Sequence, residues 1–299
     1  MSAAATGCTA VASTTVKMVP ATGADHATIV RWAAGQDRRP GVGDARLAGL
    51  KDPEGFLVGH LDHRLVCSAS IIRYGRDYAH LGYVLAAPDM RGRGLEKIAL
   101  TAALRLAHGY TIGVDVPREQ LGLYRLHGFT PAASTIRYQG APAPQPRSDR
   151  RVSVLLRRDF NQVGTLDAAA FGAPRHALAI AVAASPGKHT LVYRDKNVVR
   201  GYGVLRPAHE DMRIGPLHAD SEIVAAALLD GLCGIAVTLK ADTVTIDVPD
   251  TSPCAIGVVN SRGLHPAGGT VRMYRLGHNG VPNSAASRFY FALTSLELG

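Results

Sequence analysis

Predominantly apolar runs at residues 56–59 and 65–72 predict β-strands, with a polar turn at 61–64 between them. A third strand is expected at 78–85. Residues 95–108 instead repeat their apolar positions every three to four residues and predict a helix. An apolar strand follows at 111–116, then a short amphipathic segment that closes in Gly128-Phe129. Ile29 and Trp32 lie on an earlier predicted helix and are expected to pack in the core. The second half of the chain runs through the same series. It has strands at 190–193 and 198–206 about a turn at 195–197, a strand at 212–214 that meets Gly215-Pro216, a helix over 221–236 and a strand at 243–248.

Each half therefore reads as meander, loop, helix, strand and helix. This is an α+β unit with a mixed, mostly antiparallel twisted sheet flanked by helices. Asp115-Val-Pro117 and Asp247-Val-Pro249 close the fourth strand of each half, which favours duplication over chance likeness. Between the halves, Pro142, Pro144 and Pro146 can sustain neither helix nor ladder. The expected domains are residues 1–138 and 151–299, joined by a Pro-rich linker at 139–150.

With 46% hydrophobic and 19% charged residues among 299, the chain has ample material for a core, which excludes disorder over most of its length. No apolar stretch approaches the ~20 residues that cross a bilayer, and residues 1–15 lack the cationic start and apolar run of a signal peptide. The expectation is a soluble, cytoplasmic protein with no membrane partner. Cys8, Cys67, Cys233 and Cys254 form no CxxC pair, so neither a disulfide framework nor a zinc cage is indicated. His60, Asp62 and His63 fall on a strand end and a turn with opposite facing, and no metal is expected there. Lys and Arg outnumber Asp and Glu by 33 to 24, a net charge of +9. Such an excess suits a polyanion, either a phosphorylated cofactor or a nucleic acid, and its even spread does not choose between them.

The sharpest local signal is Ala87-Pro-Asp-Met-Arg-Gly-Arg-Gly-Leu95, where a strand turns directly into a helix. Glycines let backbone N–H groups close on a phosphate, and a helix N-terminus adds free donors and a positive dipole end. Arg91 and Arg93 can add charge-assisted bonds. The loop lacks the Gly-Lys-Ser/Thr of a Walker motif, and a strand meander does not precede a Rossmann fingerprint.

This strand–loop–helix, followed by a strand and Leu123-Tyr-Arg-Leu-His-Gly-Phe129, resembles the GNAT (N-acetyltransferase) superfamily. The likeness extends over nearly the whole chain to a bacterial tandem subgroup. It rests on Asp52-Pro-Glu-Gly-Phe56 in the first half. In the second it rests on Phe171-Gly-Ala-Pro-Arg175, Ile214-Gly-Pro216, Asp247-Val-Pro249, Arg272-Met273, Phe291-Ala292, Ser295 and Glu297-Leu-Gly299. The resemblance implies two tandem GNAT-like domains, acetyl-CoA or another acyl-CoA as co-substrate, and attack of an amine on a thioester. It implies that backbone at Leu85 and Ala86 pairs with the pantetheine arm. Arg91, Gly92, Arg93, Gly94 and Leu95 would wrap the pyrophosphate, and Tyr124 would protonate the leaving thiolate. The strand before the loop is expected to splay from the next one.

Departures from the pattern matter. Glu96 stands where the family has Gly or Ala, and it is expected to point outward from the first helical turn. The segment before Tyr124 lacks the family's asparagine. The second half has neither the Arg-x-x-Gly-x-Gly loop nor a tyrosine near Gly263, so it reads as a degenerate copy that supports the first half and shapes the acceptor pocket. His80 lies where related enzymes often place a general base, usually a carboxylate acting through water. An imidazole with a pKa of ~6.5 can serve, or His80 is an ordinary satisfied histidine. Tyr74, Tyr78 and Tyr83 fit strand packing at least as well as an acceptor pocket.

The expected function is transfer of an acyl group from acyl-CoA to the amine of a small molecule. A second reading is an aminoacyl-tRNA-dependent amide-forming transferase, motivated by tandem architecture, basic charge and Glu96. A third, a binding module with a worn loop, is opposed by the retention of Tyr124 with Gly92 and Gly94.

Overall fold

The computed structural model describes residues 16–143, 149–278 and 289–299; Cys8 and the connector's Pro144 and Pro146 lie outside them. In the first half, β1 (Lys17–Pro20) precedes α1 (Gly23–Ala34) and α2 (Asp44–Lys51). Next come β2 (Phe56–Leu61), β3 (Arg64–Tyr74), β4 (Tyr78–Ala86), α3 (Leu95–Leu106), β5 (Thr111–Val116), α4 (Leu121–Arg125) and β6 (Thr130–Gly140). The second half begins with β7 (Val152–Val154), α5 (Phe160–Phe171), α6 (His176–Ala184), β8 (His189–Asp195) and β9 (Val198–Pro207). It continues with β10 (Met212–Ala219), α7 (Glu222–Thr238), β11 (Val244–Pro249), α8 (Pro253–Asn260), β12 (His265–Arg275) and β13 (Tyr290–Ala292).

Two expected boundaries are corrected. β6 continues through Gly140, so the first two residues of the expected linker belong to the ladder. β10 does not stop at Ile214; it passes through Gly215-Pro216 and ends at Ala219. The pairing with β9 shifts register between Ile214 and Leu217, and a proline, which has no N–H to give, is tolerated at such an irregularity.

The strands form one sheet in the order β1-β2-β3-β4-β5-β12-β6-β11-β10-β9-β8-β7, with β13 paired to β10. The pairing is antiparallel except for β4 with β5 and β10 with β11. At the centre the halves exchange strands. β12 of the second half lies between β5 and β6, and β6 of the first half lies between β12 and β11.

The register reveals a twofold pseudosymmetry about this exchange. Arg272 on β12 pairs with Asp115 on β5, and Arg137 on β6 pairs with Asp247 on β11. Thr270 and Thr135, each two residues earlier, face one another across the centre. The side chains repeat the relation. Arg272 Nη2 lies 2.6 Å from Asp115 Oδ2, and Arg137 Nε lies 2.9 Å from Asp247 Oδ1. Arg213 adds a third bond, Nη2 to Asp247 Oδ2 at 2.6 Å. Burial alone would raise the Asp247 carboxyl, but Arg213 and Arg137 more than offset it and hold it down to about 2.

Apolar packing follows the same plan. One cluster, with Leu100, Val114 and Phe129, lies under α3; a second, with Leu228, Leu232 and Ile246, lies under α7. A third joins the halves, packing Ile29 and Tyr83 of the first with Val163 and Tyr202 of the second. Trp32 packs on its edge, half-buried. Tyr74 and Tyr78 set their rings edge-on to Phe171, and Tyr83 stacks on Phe56, so all three serve the core. Among the described residues no helix is long and apolar enough to cross a membrane.

Removing one partner of a buried ion pair strands the other charge. Arg272→Met should therefore cost about 3–5 kcal/mol in urea unfolding, and adding Asp115→Asn should recover most of it. A cost below about 1 kcal/mol would show that the strand exchange does not depend on this pair.

Candidate active site

β4 and β5 run side by side only from residues 78–81 and 111–114, after which β5 stays with β12 and β4 turns away. The parting coincides with an irregularity in β4: pairing with β3 shifts between Ser68 and Ser70, and Tyr83 takes a left-handed φ of 46°. Leu85 and Ala86 lie buried on the diverging end, which has no β5 partner among the described residues. A 3₁₀ turn at Pro88–Met90 and the exposed Arg91, Gly92, Arg93 and Gly94 then lead into α3, whose first residue, Leu95, is buried. Gly92 and Gly94 have φ of 76° and 78°, a conformation that glycine adopts without strain. A Cβ on either would meet nothing within 4 Å, so the loop is open above them. An open, cationic loop at a helix N-terminus suits a diphosphate.

Glu96, on the first turn of α3, is partly exposed, and its charge adds to the burial that pushes the Cys67 thiol up to about 11 and also raises Tyr124.

Tyr124 sits on α4, fully buried, with the Arg38 guanidinium beside its hydroxyl. Burial raises its pKa to about 12, against the pull of the Arg38 charge and with the push of Glu297. The phenol is therefore a proton donor at neutral pH.

The second half supplies Glu297. Its Oε1 accepts from Arg38 Nη1 at 2.8 Å, and its Oε2 accepts the backbone N–H of Tyr83. Residues 291–299 are all buried, and the arginines of the core hold them. Arg213 donates to the Thr294 carbonyl at 3.1 Å, and Arg175 reaches the carbonyls of Leu298 and Gly299 at 3.1 and 3.0 Å. Tyr74 also donates to the Leu298 carbonyl. Gly82 is what admits this segment: a Cβ there would come within 2.7 Å of the Glu297 carbonyl oxygen.

His80 lies beneath the same segment. It is fully buried, with Nε2 3.1 Å from the Leu296 carbonyl, Nδ1 3.4 Å from the Tyr78 hydroxyl and Asp115 4.0 Å away. The pseudosymmetry explains it. His80 faces Gly113 and Arg213 faces Thr245, each two residues before the clasped aspartate. His80 is thus the counterpart of a residue that braces the centre. The structure brings Tyr124, Arg38, Tyr83 and Glu297 together and surrounds His80 with other partners.

Among the described residues the second half has no equivalent cleft. Where β10 leaves β11, β13 pairs with β10, and Leu293 donates to the Asp247 carbonyl at 3.0 Å. Pro216 stands at the position of Tyr83 and has no N–H. Only Asp220 and Ser221 separate β10 from α7. Among the described residues, no group of three or more His, Cys, Asp and Glu could hold a metal.

Glu297 and Arg38 were not singled out as site residues in the sequence. The available signal was a lone carboxylate in the apolar run from Phe291 to Leu298.

A family model described as an acetyltransferase (GNAT) domain matches residues 163–289. The chain is 28% identical over 280 residues to the holothin acyltransferase of Pseudoalteromonas sp. (strain SANK 73390), covering 94% of this chain and 93% of that one. It is 23% identical over 231 residues to the uncharacterized N-acetyltransferase YitH of Bacillus subtilis (strain 168), covering 75% and 79%. Among solved structures, a putative acetyltransferase from Pyrococcus horikoshii superposes with a TM-score of 0.77 at 20% identity, over 98% of this chain and 99% of that one. A tandem GNAT protein from the clavulanic acid biosynthesis pathway gives 0.61 at 14%, over 87% and 98%.

Burial first, then the Arg272 charge, lower the His80 pKa to about 4, against Asp115 and the Leu296 carbonyl. A folded pKa below the unfolded value of ~6.5 means that stability is complete above pH ~6.5 and is lost as pH falls toward 4. NMR titration should find His80 neutral from pH 8 down to 5. A midpoint near 6.5 would show that the terminal segment does not cover it.

Proposed function

The chain belongs to the GNAT superfamily of acyltransferases, and from that premise we propose that its first half transfers an acyl group, acetyl in the simplest case, from acyl-CoA to the amine of a small molecule in the cytoplasm. The observation that carries this reading is the asymmetry of the two clefts: β4 leaves β5 beside an open glycine loop, whereas β13 fills the corresponding parting of the second half. The name of the Pseudoalteromonas relative, which spans 94% of this chain, supports a small-molecule acceptor.

Bound acyl-CoA would supply an activated acyl carbon and a thiolate leaving group. Arg91, Arg93 and the N-terminal end of α3 would hold its diphosphate by charge and backbone donors. Backbone at Leu85 and Ala86, on the diverging end of β4, would accompany the pantetheine arm. Tyr124, protonated through the neutral range, would give its proton to the departing sulfur. Burial under α4 and the terminal segment keeps water from competing with the acceptor. The negative charge of Glu96 would oppose an anion at this turn, and the positive charges of Arg91 and Arg93 would offset it.

Acetyl-CoA at a hundred times its Kd should stabilise the protein by about 2.7 kcal/mol, read as a rise in Tm. Tyr124→Phe should keep that stabilisation and lower kcat by roughly 10²–10⁴-fold. Stabilisation by charged tRNA with none by acetyl-CoA would overturn the donor assignment, and wild-type kcat in the Phe variant would remove Tyr124 from the chemistry.

A further inference from the structure

Between the loop joining α1 to α2, the end of β5 and the exchanged strands β6 and β12 lies a cavity of about 230 Å³. Arg38, Pro117, Thr135, Arg137, Thr270 and Leu296 line it, so both halves contribute. Two of these side chains are more than nine-tenths buried and carry donors with no hydrogen-bond partner among the described residues. Arg38, 3% exposed, spends Nη1 on Glu297, and its Nε and Nη2 are without such a partner. Thr270, 8% exposed, has none at Oγ1.

The unpaired threonine departs from the pseudosymmetry. Its counterpart Thr135 donates to Asp115 at 2.9 Å. Arg137 and Arg213 already take both oxygens of Asp247, the carboxylate that the symmetry would offer Thr270. A buried donor without an acceptor is costly. Three such donors in one cavity mark a place where an acceptor oxygen from outside the chain is well received.

The charge balance selects the kind of oxygen. Arg38 is already neutralised by Glu297 at 2.8 Å, and Asp37 and Glu119 stand exposed at the rim. A second carboxylate would bring an uncompensated negative charge beside Glu297, whereas a neutral carbonyl satisfies the donors without one. Asp37 is bonded to Arg39 and Arg137, and Glu119 at the rim favours the approach of a cationic amine.

We propose that this cavity binds the acceptor, that the acceptor is a compact primary amine carrying a neutral carbonyl oxygen a few bonds from its nitrogen, and that Glu297 is the catalytic residue that takes the amine's proton. The carbonyl is held by Arg38 and Thr270, and Glu297 is the carboxylate bonded to the same Arg38 guanidinium, at 2.8 Å. The ammonium first gives one proton to water; the neutral amine then forms the N–C bond as the C–S bond breaks, its second proton goes to the Glu297 carboxylate, and the sulfur takes the proton of Tyr124. This inference rests on the acyl donor being bound in the first half.

The test measures CoA thiol release from acetyl-CoA with alaninamide, alanine and propylamine as acceptors. Alaninamide should exceed propylamine in kcat/KM by at least tenfold, with alanine the poorest. Thr270→Val, which deletes only the unpaired hydroxyl, should reduce the alaninamide-to-propylamine ratio about tenfold. Glu297→Gln should lower kcat for alaninamide by roughly 10²–10⁴-fold. A parallel melting curve of the Gln variant with acetyl-CoA separates lost chemistry from lost folding. An unchanged ratio in the Val variant, a preference for alanine, or wild-type kcat in the Gln variant would overturn the proposal. So would acetyl-CoA binding without turnover of any of these amines. Absence of acetyl-CoA binding itself would instead sink the donor assignment beneath it.

Discussion

Two carboxylates at the middle of a continuous sheet, Asp115 and Asp247, are each gripped by an arginine that arrives on a strand from the other half. A buried carboxylate is costly to hold without its cation: Asp115 takes its cation from the other half's Arg272, and Asp247 shares Arg137 of the other half with Arg213 of its own. The exchange of β6 and β12 places residues of both halves around one cavity and fixes the relation between the first half's cleft and the second half's core.

The same plan explains why two similar halves do different things. Each has a strand that parts from its parallel neighbour at a glycine, Gly82 in one and Gly215 in the other. The final segment of the chain runs past both. At Gly215 it brings the carbonyls of Leu293 and Thr294 against the strand, and at Gly82 it brings Glu297. One parting is closed by β13. The other gains a carboxylate held by Arg38 and by the Tyr83 N–H, beside a tyrosine that burial keeps protonated. The second half thus gave up a cleft of its own and completes its partner's.

Much of this was legible in the sequence, because local signals carry it. Short apolar runs bounded by turns marked the strands, the three-to-four repeat marked α3, and the glycine–arginine loop followed by Tyr124 pointed to a phosphate-bearing donor. What could not be read there depends on pairing between residues far apart in the chain. Nothing local tells that Arg272 belongs to Asp115 or that Glu297 reaches Tyr83. Proline suggested a stop at Pro216, yet the strand continues because the ladder slips at that point. His80 looked available as a base because its neighbours in sequence are strand residues; the chain's final segment buries it. The effect of Glu96 on Cys67 likewise depends on the packing of α3 on β3, which no local pattern shows.

The central claim is that one half keeps a donor cleft while the other fills its own with the terminal segment. Calorimetric titration of the intact chain with acetyl-CoA tests it most directly. The account predicts one equivalent bound per chain; two equivalents would contradict it.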